Sequence, residues 1–289
     1  MSFTETKLKV LSDLLRQYNF SDGFTFYQSR INESDSGIRS ENTIYMSGID
    51  PFSKKTLSGE GNLALYPIVF DLFDVTLDKV LSVNDLKFSK KVSLFSSHKR
   101  EDDIVDFLEK AVLEKAVELR NKIIHNDIVM NEDDGYLTLP SGNEYQVADF
   151  GILNRLVFNI SFKLLNNKPY SQYEKCAALA LYKKVFGCIQ SEKIDSLYEN
   201  GEIIDMNVCP RHYRDLSGKT ICSESTLYDN LVGTIESFPD ENGAIKFSEG
   251  IYSNQTFQLK LNETDIIVPA ELINSNKNLK LNEVAHWLM

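Results

Sequence analysis

Apolar residues recur every three or four positions along a segment that begins near Glu101 and ends near Asp127. The repeating positions are Ile104, Val105, Leu108, Val112, Ala116, Leu119 and Ile123. This spacing places one apolar stripe on a helix of at least five turns. Acidic side chains stabilise the positive N-terminal end of a helix, and Asp102 and Asp103 lie at this end. Ser96 lies before them as a candidate N-cap. The pattern predicts a long, packed central helix.

Four further segments have helical spacing of apolar residues, and they cover residues 6–20, 62–81, 149–164 and 171–189. Proline is tolerated only in a first helical turn, so Pro67 predicts that the second of these helices begins near Tyr66. Ser171 and Glu174 have the spacing of a capping box at the start of the last one. The first two thirds of the chain therefore supplies about five helices, enough for a bundle.

Between the helices the sequence predicts smaller features. Asp71, Asp74 and Asp78 recur on one face of the second helix, and we interpret them as a solvated face because no histidine accompanies them. Residues 87–95 fit a short strand or an irregular connector. Residues 136–147 have the turn chemistry of a hairpin.

Two stretches lack helical spacing. Residues 21–61 are polar and rich in turn residues, which predicts mostly surface loop, with short elements at Phe24–Ile31 and Thr43–Met46 as the alternative. Beyond Asn200, short alternating segments predict strands, and Thr256–Leu261 alternates most cleanly. The other predicted strands cover residues 202–208, 231–238, 244–247 and 265–268. The polar cluster Arg211–Arg214 is interpreted as a solvated loop, with RNA or partner contact as the alternative.

A chain of 289 residues exceeds the usual size of one domain. We therefore expect an α+β protein with a helical bundle domain at residues 1–198, including the polar loop region 21–61. A small β-rich domain is expected at residues 199–289.

The charge balance limits the functions that can be expected. There are 42 acidic residues against 31 lysines and arginines, a net charge of −11, which argues against a general nucleic-acid coat or a membrane-surface binder. No apolar run of eighteen residues and no signal peptide is seen, so a cytoplasmic protein with free thiols is expected. Cys209, His212 and Cys222 lack a second ligand pair, and no zinc site or other cofactor is predicted.

Polar residues cluster where the central helix ends. Arg120, Asn121 and His125 are not needed for the apolar stripe. Asn121 and His125 are four positions apart and share a face, while Arg120 lies about 100° round from Asn121. A fixed cation, an amide and an imidazole are therefore expected at one rim of the helix end, a combination suited to a phosphate.

This trio suits the transesterification of RNA. Because the ribose 2′-hydroxyl is itself the nucleophile, the protein needs only a group that moves protons and donors for the phosphate oxygens. Histidine titrates near neutral pH, arginine offers a bidentate fork and asparagine adds a neutral donor. Arg120, Asn121 and His125 are thus the candidate catalytic residues, and the scheme requires no metal.

The run Arg120-Asn121-Lys122-Ile123-Ile124-His125 resembles the Arg-(x)4-His signature of the HEPN superfamily, with at most residues 62–190 as its helical context. The resemblance implies a metal-independent endoribonuclease, acting as a toxin or antiviral-defence effector. It implies a homodimer with the cleft between two protomers, RNA as substrate and an antitoxin or regulatory protein as a further partner. It assigns Arg120 to the scissile phosphate, His125 to acid–base work and Asn121 to their support.

Two alternatives remain open from the residues alone. An arginine and a histidine in the last turn of a helix are also favoured by the dipole and the free carbonyls, which fits a non-catalytic binding protein such as an antitoxin, sensor or assembly component. A metal-dependent hydrolase ranks third, because no ligand spacing accompanies the many carboxylates. Geometry separates the first two: the nuclease needs Arg120 and His125 on an open cleft, whereas a buried or capped pair favours the binding protein.

Overall fold

The computed structural model describes residues 3–16, 26–34, 37–43, 59–83, 86–100, 102–125, 128–131, 135–187, 189, 191–200, 202–206, 211–221, 255–261, 264–269, 271–272 and 287. The helices in these ranges are α1 Phe3–Arg16, α2 Gly59–Val80, α3 Phe88–Ser97, α4 Asp103–Ile124, α5 Phe150–Asn166, α6 Gln172–Phe186 and α7 Glu192–Glu199. The strands are β1 Phe26–Ser34, β2 Gly37–Thr43, β3 Val129–Asn131, β4 Tyr136–Thr138, β5 Glu144–Gln146, β6 Arg211–Ile221, β7 Gln255–Leu261 and β8 Thr264–Pro269. The expected α+β class is confirmed.

The chain divides into two compact units. One contains α1 to α5, the small sheet of β3, β4 and β5, and the later part of α6. The other contains the first turn of α6 and a five-stranded sheet in the order β2-β1-β6-β7-β8. In that sheet β6 is parallel to both β1 and β7, while the outer pairs are antiparallel.

The core of the helical unit is formed by α2, α4 and α5. Its fully buried side chains include Tyr66, Phe70, Phe73, Leu108, Val112, Leu119, Leu156 and Val157. The Tyr66 hydroxyl donates to the carbonyl of Ala116 at 2.8 Å, and the Asn154 amide donates to the carbonyl of Asn62 at 2.8 Å. These two buried bonds tie α2 to both neighbouring helices and leave little freedom in how α4 is placed.

The start of α2 differs from the prediction. The helix begins at Gly59 and carries Pro67 in its interior, instead of beginning near Tyr66. An interior proline costs a helix about 3 kcal/mol. Tyr66, Val69 and Phe70 around it are almost completely buried, so the apolar area that this turn removes from water outweighs that cost.

The prediction for residues 87–95 was wrong, because Phe88–Ser97 forms α3. The solvated interpretation of the acidic row on α2 was wrong for two of its members. The ammonium of Lys91, only 4% exposed, lies 2.6 Å from carboxylate oxygens of both Asp74 and Asp78. One buried cation therefore attaches α3 to the acidic face of α2.

Two further local predictions concern the hairpin at residues 136–147 and the capping box at Ser171. The hairpin is confirmed, with β4 and β5 antiparallel and Leu137 opposite Tyr145. The capping box is confirmed as well, because the Ser171 N–H donates to Glu174 at 2.8 Å and the Glu174 N–H to the Ser171 hydroxyl at 3.3 Å. Asp149 occupies the N-cap position of α5 without a side-chain capping bond.

The β-rich region was predicted in part. Strands β7 and β8 coincide with the predicted segments, but the residues from Arg211 onward form β6 and not a loop. Within residues 21–61, β1 overlaps the short element considered at residues 24–31, while β2 lies mostly where loop was expected. Strand β1 pairs with β6. The segment 202–206 contains no strand, and the predicted strands at 231–238 and 244–247 lie outside the described residues.

Candidate functional site

Helix α4 carries the three predicted site residues at its C-terminal end. It starts with Asp102 as N-cap, whose carboxylate accepts from the N–H groups of Ile104 at 2.9 Å and Val105 at 3.1 Å. It ends at Ile124, and the backbone N–H of His125 donates to the carbonyl of Asn121 at 3.1 Å. The position of the site thus follows from the predicted apolar stripe. The predicted cap was wrong, because Asp102 caps α4 and Ser96 lies within α3.

The Arg120 side chain is half-buried and lies against aromatic rings of two other helices. Its guanidinium carbon is 4.9 Å from the ring centre of Phe88 on α3 and 5.9 Å from that of Phe70 on α2. Both distances fall within the range of a cation–π contact. The guanidinium plane is therefore held by packing and not only by charge.

Within α4, Arg120 also contacts its neighbour. Its Nη1 donates to the Asn121 side-chain oxygen at 3.3 Å. Its Nε is buried and has no hydrogen-bond partner among the residues that the structure describes. An unused donor in a buried position costs free energy, and such a donor is what an incoming acceptor oxygen could satisfy.

His125 is exposed at the C-cap position of α4. Its imidazole makes no hydrogen bond or ion pair with any residue in the described part of the chain, so the ring is accessible to solvent and to a ligand. Large apolar side chains are exposed at the helix end and soon after it in the chain: Ile124 is 44% exposed, and Val129 and Met130 on β3 are 70% and 40% exposed.

Acidic groups lie on the side of α4 that faces the small sheet. Burial and the nearby Glu118 carboxylate raise the pKa of Tyr145 on β5 to about 12. Lys115 forms an ion pair with Glu118 at 3.6 Å. A polyanion approaching this end of α4 would meet the exposed His125 and a carboxylate that Lys115 partly neutralises. Arg120, five positions before His125, lies about 140° round the helix from it.

The structure brings together two of the three predicted residues directly, Arg120 with Asn121. It joins Asn121 to His125 through one backbone hydrogen bond. Along the helix axis, Arg120 and His125 are five residues apart, or about 7.5 Å at the usual rise. The sequence did not reveal Phe88 as the support of Arg120, because α3 itself was not predicted and no pattern singles out that ring.

The described residues include only some of the cysteines considered in the sequence analysis. Cys209 and Cys222 lie outside the described residues, and Cys176 is a buried core residue of α6, as predicted. In the ranges given above, no three or more His, Cys, Asp or Glu side chains form a group that could hold a metal ion. None of the helices described above is both long enough and apolar enough to cross a membrane.

No family model matches this chain, and neither the curated proteins nor the solved structures contain a match.

Proposed function

We propose that the protein is a metal-independent endoribonuclease of HEPN type that cleaves RNA through the ribose 2′-hydroxyl. The observation that carries the proposal is the arrangement of Arg120, Asn121 and His125. A cation supported by Phe88 and Asn121 precedes an exposed imidazole at the same helix end. That pairing supplies the two things transesterification needs from a protein, charge stabilisation and proton transfer.

In the proposed reaction the 2′-oxygen attacks the adjacent phosphorus and loses its proton to a general base. The bond from phosphorus to the 5′-oxygen breaks, and a general acid gives that oxygen a proton. The products are a 2′,3′-cyclic phosphate and a 5′-hydroxyl. Arg120 stabilises the charge that builds on the non-bridging oxygens, and His125 is the group that moves protons.

A homodimer would complete this chemistry. One imidazole cannot be both the acid and the base of the same step, whereas two copies of His125 supply both roles. Two copies of Arg120 would also concentrate positive charge in a protein whose net charge is −11. The exposed apolar side chains of Ile124, Val129 and Met130 beside the site are consistent with a surface that a second protomer covers.

One observation favours a second candidate function. Because Arg120 packs on both Phe88 and Phe70, its role could be to fasten α4 to α2 and α3. The protein would then be a non-catalytic member of the same class, an antitoxin, sensor or assembly component. On this alternative His125 has no chemical role, and RNA is either not bound or bound without being cut.

The deciding experiment is to incubate the purified full chain with a short RNA in excess chelator and to analyse the ends of the products. We expect cleavage with 2′,3′-cyclic phosphate and 5′-hydroxyl ends. The same RNA carrying 2′-O-methyl groups is the matched control and is expected to remain intact. Cleavage that requires a divalent cation, or that leaves 5′-phosphate ends, contradicts the proposal, and bound but uncut RNA supports the second function.

A further inference from the structure

A separate cavity of about 490 Å³ lies at the other end of α4. Three consecutive basic residues between α3 and α4, His98, Lys99 and Arg100, line it from one side. Asn167 and Tyr170, from the connection between α5 and α6, line it from the other. The volume falls in the range of small-molecule binding pockets. Since α4 has 22 residues, this cavity is about 33 Å from the Arg120 end and forms a separate site.

Arg100 is held in place by groups from three directions. Its Nε lies 3.3 Å from a carboxylate oxygen of Glu109, and its Nη1 donates to the Asn167 side-chain oxygen at 3.3 Å. Its backbone N–H donates to Asp106 at 3.0 Å. The guanidinium is thus pre-positioned at the cavity, which reduces the entropy that a ligand must overcome to bind it.

The carboxylate behind Arg100 is completely buried, with Glu109 0% exposed. Burial raises the pKa of Glu109 to about 7, against the lowering effects of Arg100 and of a hydrogen bond with Tyr170. The other charged groups near it are Asp106 and Lys110, which form an ion pair with each other at 2.8 Å. Near neutral pH, Glu109 therefore neutralises only part of the charge of Arg100.

The remaining lining groups suit a ligand with both a charged and a flat part. The His98 ring stacks on Phe95 at 5.8 Å, which fixes its plane. Tyr170 has the ammonium of Lys163 over its ring at 5.2 Å. Lys99 is exposed at the rim and free to turn towards an anion. Asp102 also lines the cavity, but its Oδ1 already accepts the two N–H groups that start α4.

We propose that this cavity binds a small phosphorylated ligand of nucleotide size, with its phosphate on Lys99 and Arg100 and its ring against His98 and Tyr170. Arginine and lysine are the usual phosphate partners in proteins, and arginine offers two parallel donors. The ligand phosphate competes with Glu109 for Arg100. When Glu109 loses this cation, its neutral form is favoured, so binding takes up a proton from solution. This site is independent of the proposed ribonuclease activity.

Titration calorimetry of the full chain with AMP, adenosine and inorganic phosphate at pH 8 tests the proposal. We expect AMP to bind more tightly than either of its parts. Lys99→Ala should weaken AMP binding by about tenfold, the loss of one charge-assisted hydrogen bond. The matched control is Lys115→Ala, which removes the same charge from the middle of α4, far from the cavity, and should leave AMP affinity unchanged.

Repeating the titration in buffers of different ionisation enthalpy measures the proton uptake. The phosphate of AMP is already fully ionised at pH 8, so uptake reports on the protein. We expect the uptake to disappear in Glu109→Gln, with AMP binding as tight as in the unmodified chain or tighter. The proposal is overturned if AMP does not bind at millimolar concentration, if the two lysine variants behave alike, or if adenosine binds as well as AMP. Uptake that persists in Glu109→Gln overturns the competition for Arg100.

Discussion

The guanidinium carbon of Arg120 lies 4.9 Å from the centre of the Phe88 ring. The contact joins the end of α4 to the start of α3 and places a cation over an aromatic face in a half-buried setting. There the contact is worth about 1 kcal/mol or more, because water screens it less than at an exposed site. If Arg120 binds a phosphate, Phe88 is the group that fixes where the guanidinium can be.

The contact between Arg120 and Phe88 predicts that the Phe88 ring positions the Arg120 guanidinium. In Phe88→Leu the charge of Arg120 remains but its plane is no longer fixed, and we expect the maximal cleavage rate to fall about tenfold. Arg120→Ala should reduce the rate about a hundredfold or more, the usual effect of losing one charge-stabilising donor. The double variant should be no slower than Arg120→Ala alone, because the ring acts through the arginine.

Single-turnover rates at saturating RNA, with thermal unfolding measured on the same samples, check this prediction. Lys110→Ala serves as control, since it removes a cation that pairs with Asp106 on α4, about 15 Å along the helix axis from Arg120. Additive losses in the double variant would show that Phe88 and Arg120 act separately and that the ring only supports the core.

Lys91, the buried cation between α2 and α3, is predicted to contribute strongly to the free energy of unfolding. Lys91→Met leaves Asp74 and Asp78 facing each other without their common partner, and we expect the free energy of unfolding to fall by about 3 kcal/mol. Asp78→Asn should cost only about 1 kcal/mol, because Lys91 keeps its bond to Asp74. Urea denaturation of the three proteins measures both values. Equal losses in the two variants would contradict the shared-cation arrangement.

The raised pKa of Glu109 predicts how the free energy of unfolding depends on pH. Its pKa is about 7 in the folded protein and about 4.5 in an unfolded chain, so the folded state binds the extra proton between these values. Stability therefore falls as the pH rises from about 4.5 to 7 by up to roughly 3 kcal/mol, at 1.36 kcal/mol for each unit of pKa difference. In Glu109→Gln this part of the pH dependence should be absent, and the variant should be the more stable protein at pH 8. Thermal unfolding from pH 5 to pH 8 provides the test, and identical pH profiles for the two proteins would contradict it.

The features predicted correctly from the sequence are those with local causes. The stripe of α4, the capping box at Ser171 and the 136–147 hairpin each follow from residues a few positions apart. Their signals are complete within one segment, so no knowledge of the rest of the chain is needed. The C-terminal end of α4, and with it the location of the candidate site, could be placed for the same reason.

The features that were missed depend on contacts distant in sequence. Strand β1 exists because Phe26 and its neighbours pair with Arg211 and the residues after it, near the other end of the chain. Pro67 is accommodated inside α2 by the burial of that turn, and α3 is stabilised by Lys91 reaching α2. For the same reason a chemical role could be predicted for Arg120 from its local motif, whereas the ring on which it rests could not be predicted.

The proposed role of the exposed His125 imidazole is to move protons during RNA cleavage. The most direct measurement is the single-turnover rate of RNA cleavage, in excess chelator, for the full chain and for His125→Ala. Because the His125 side chain has no bonds within the described residues, its removal should leave the unfolding temperature unchanged while the rate falls about a hundredfold or more. If His125→Ala cleaves RNA at the rate of the unmodified chain, the end of α4 is not a catalytic site.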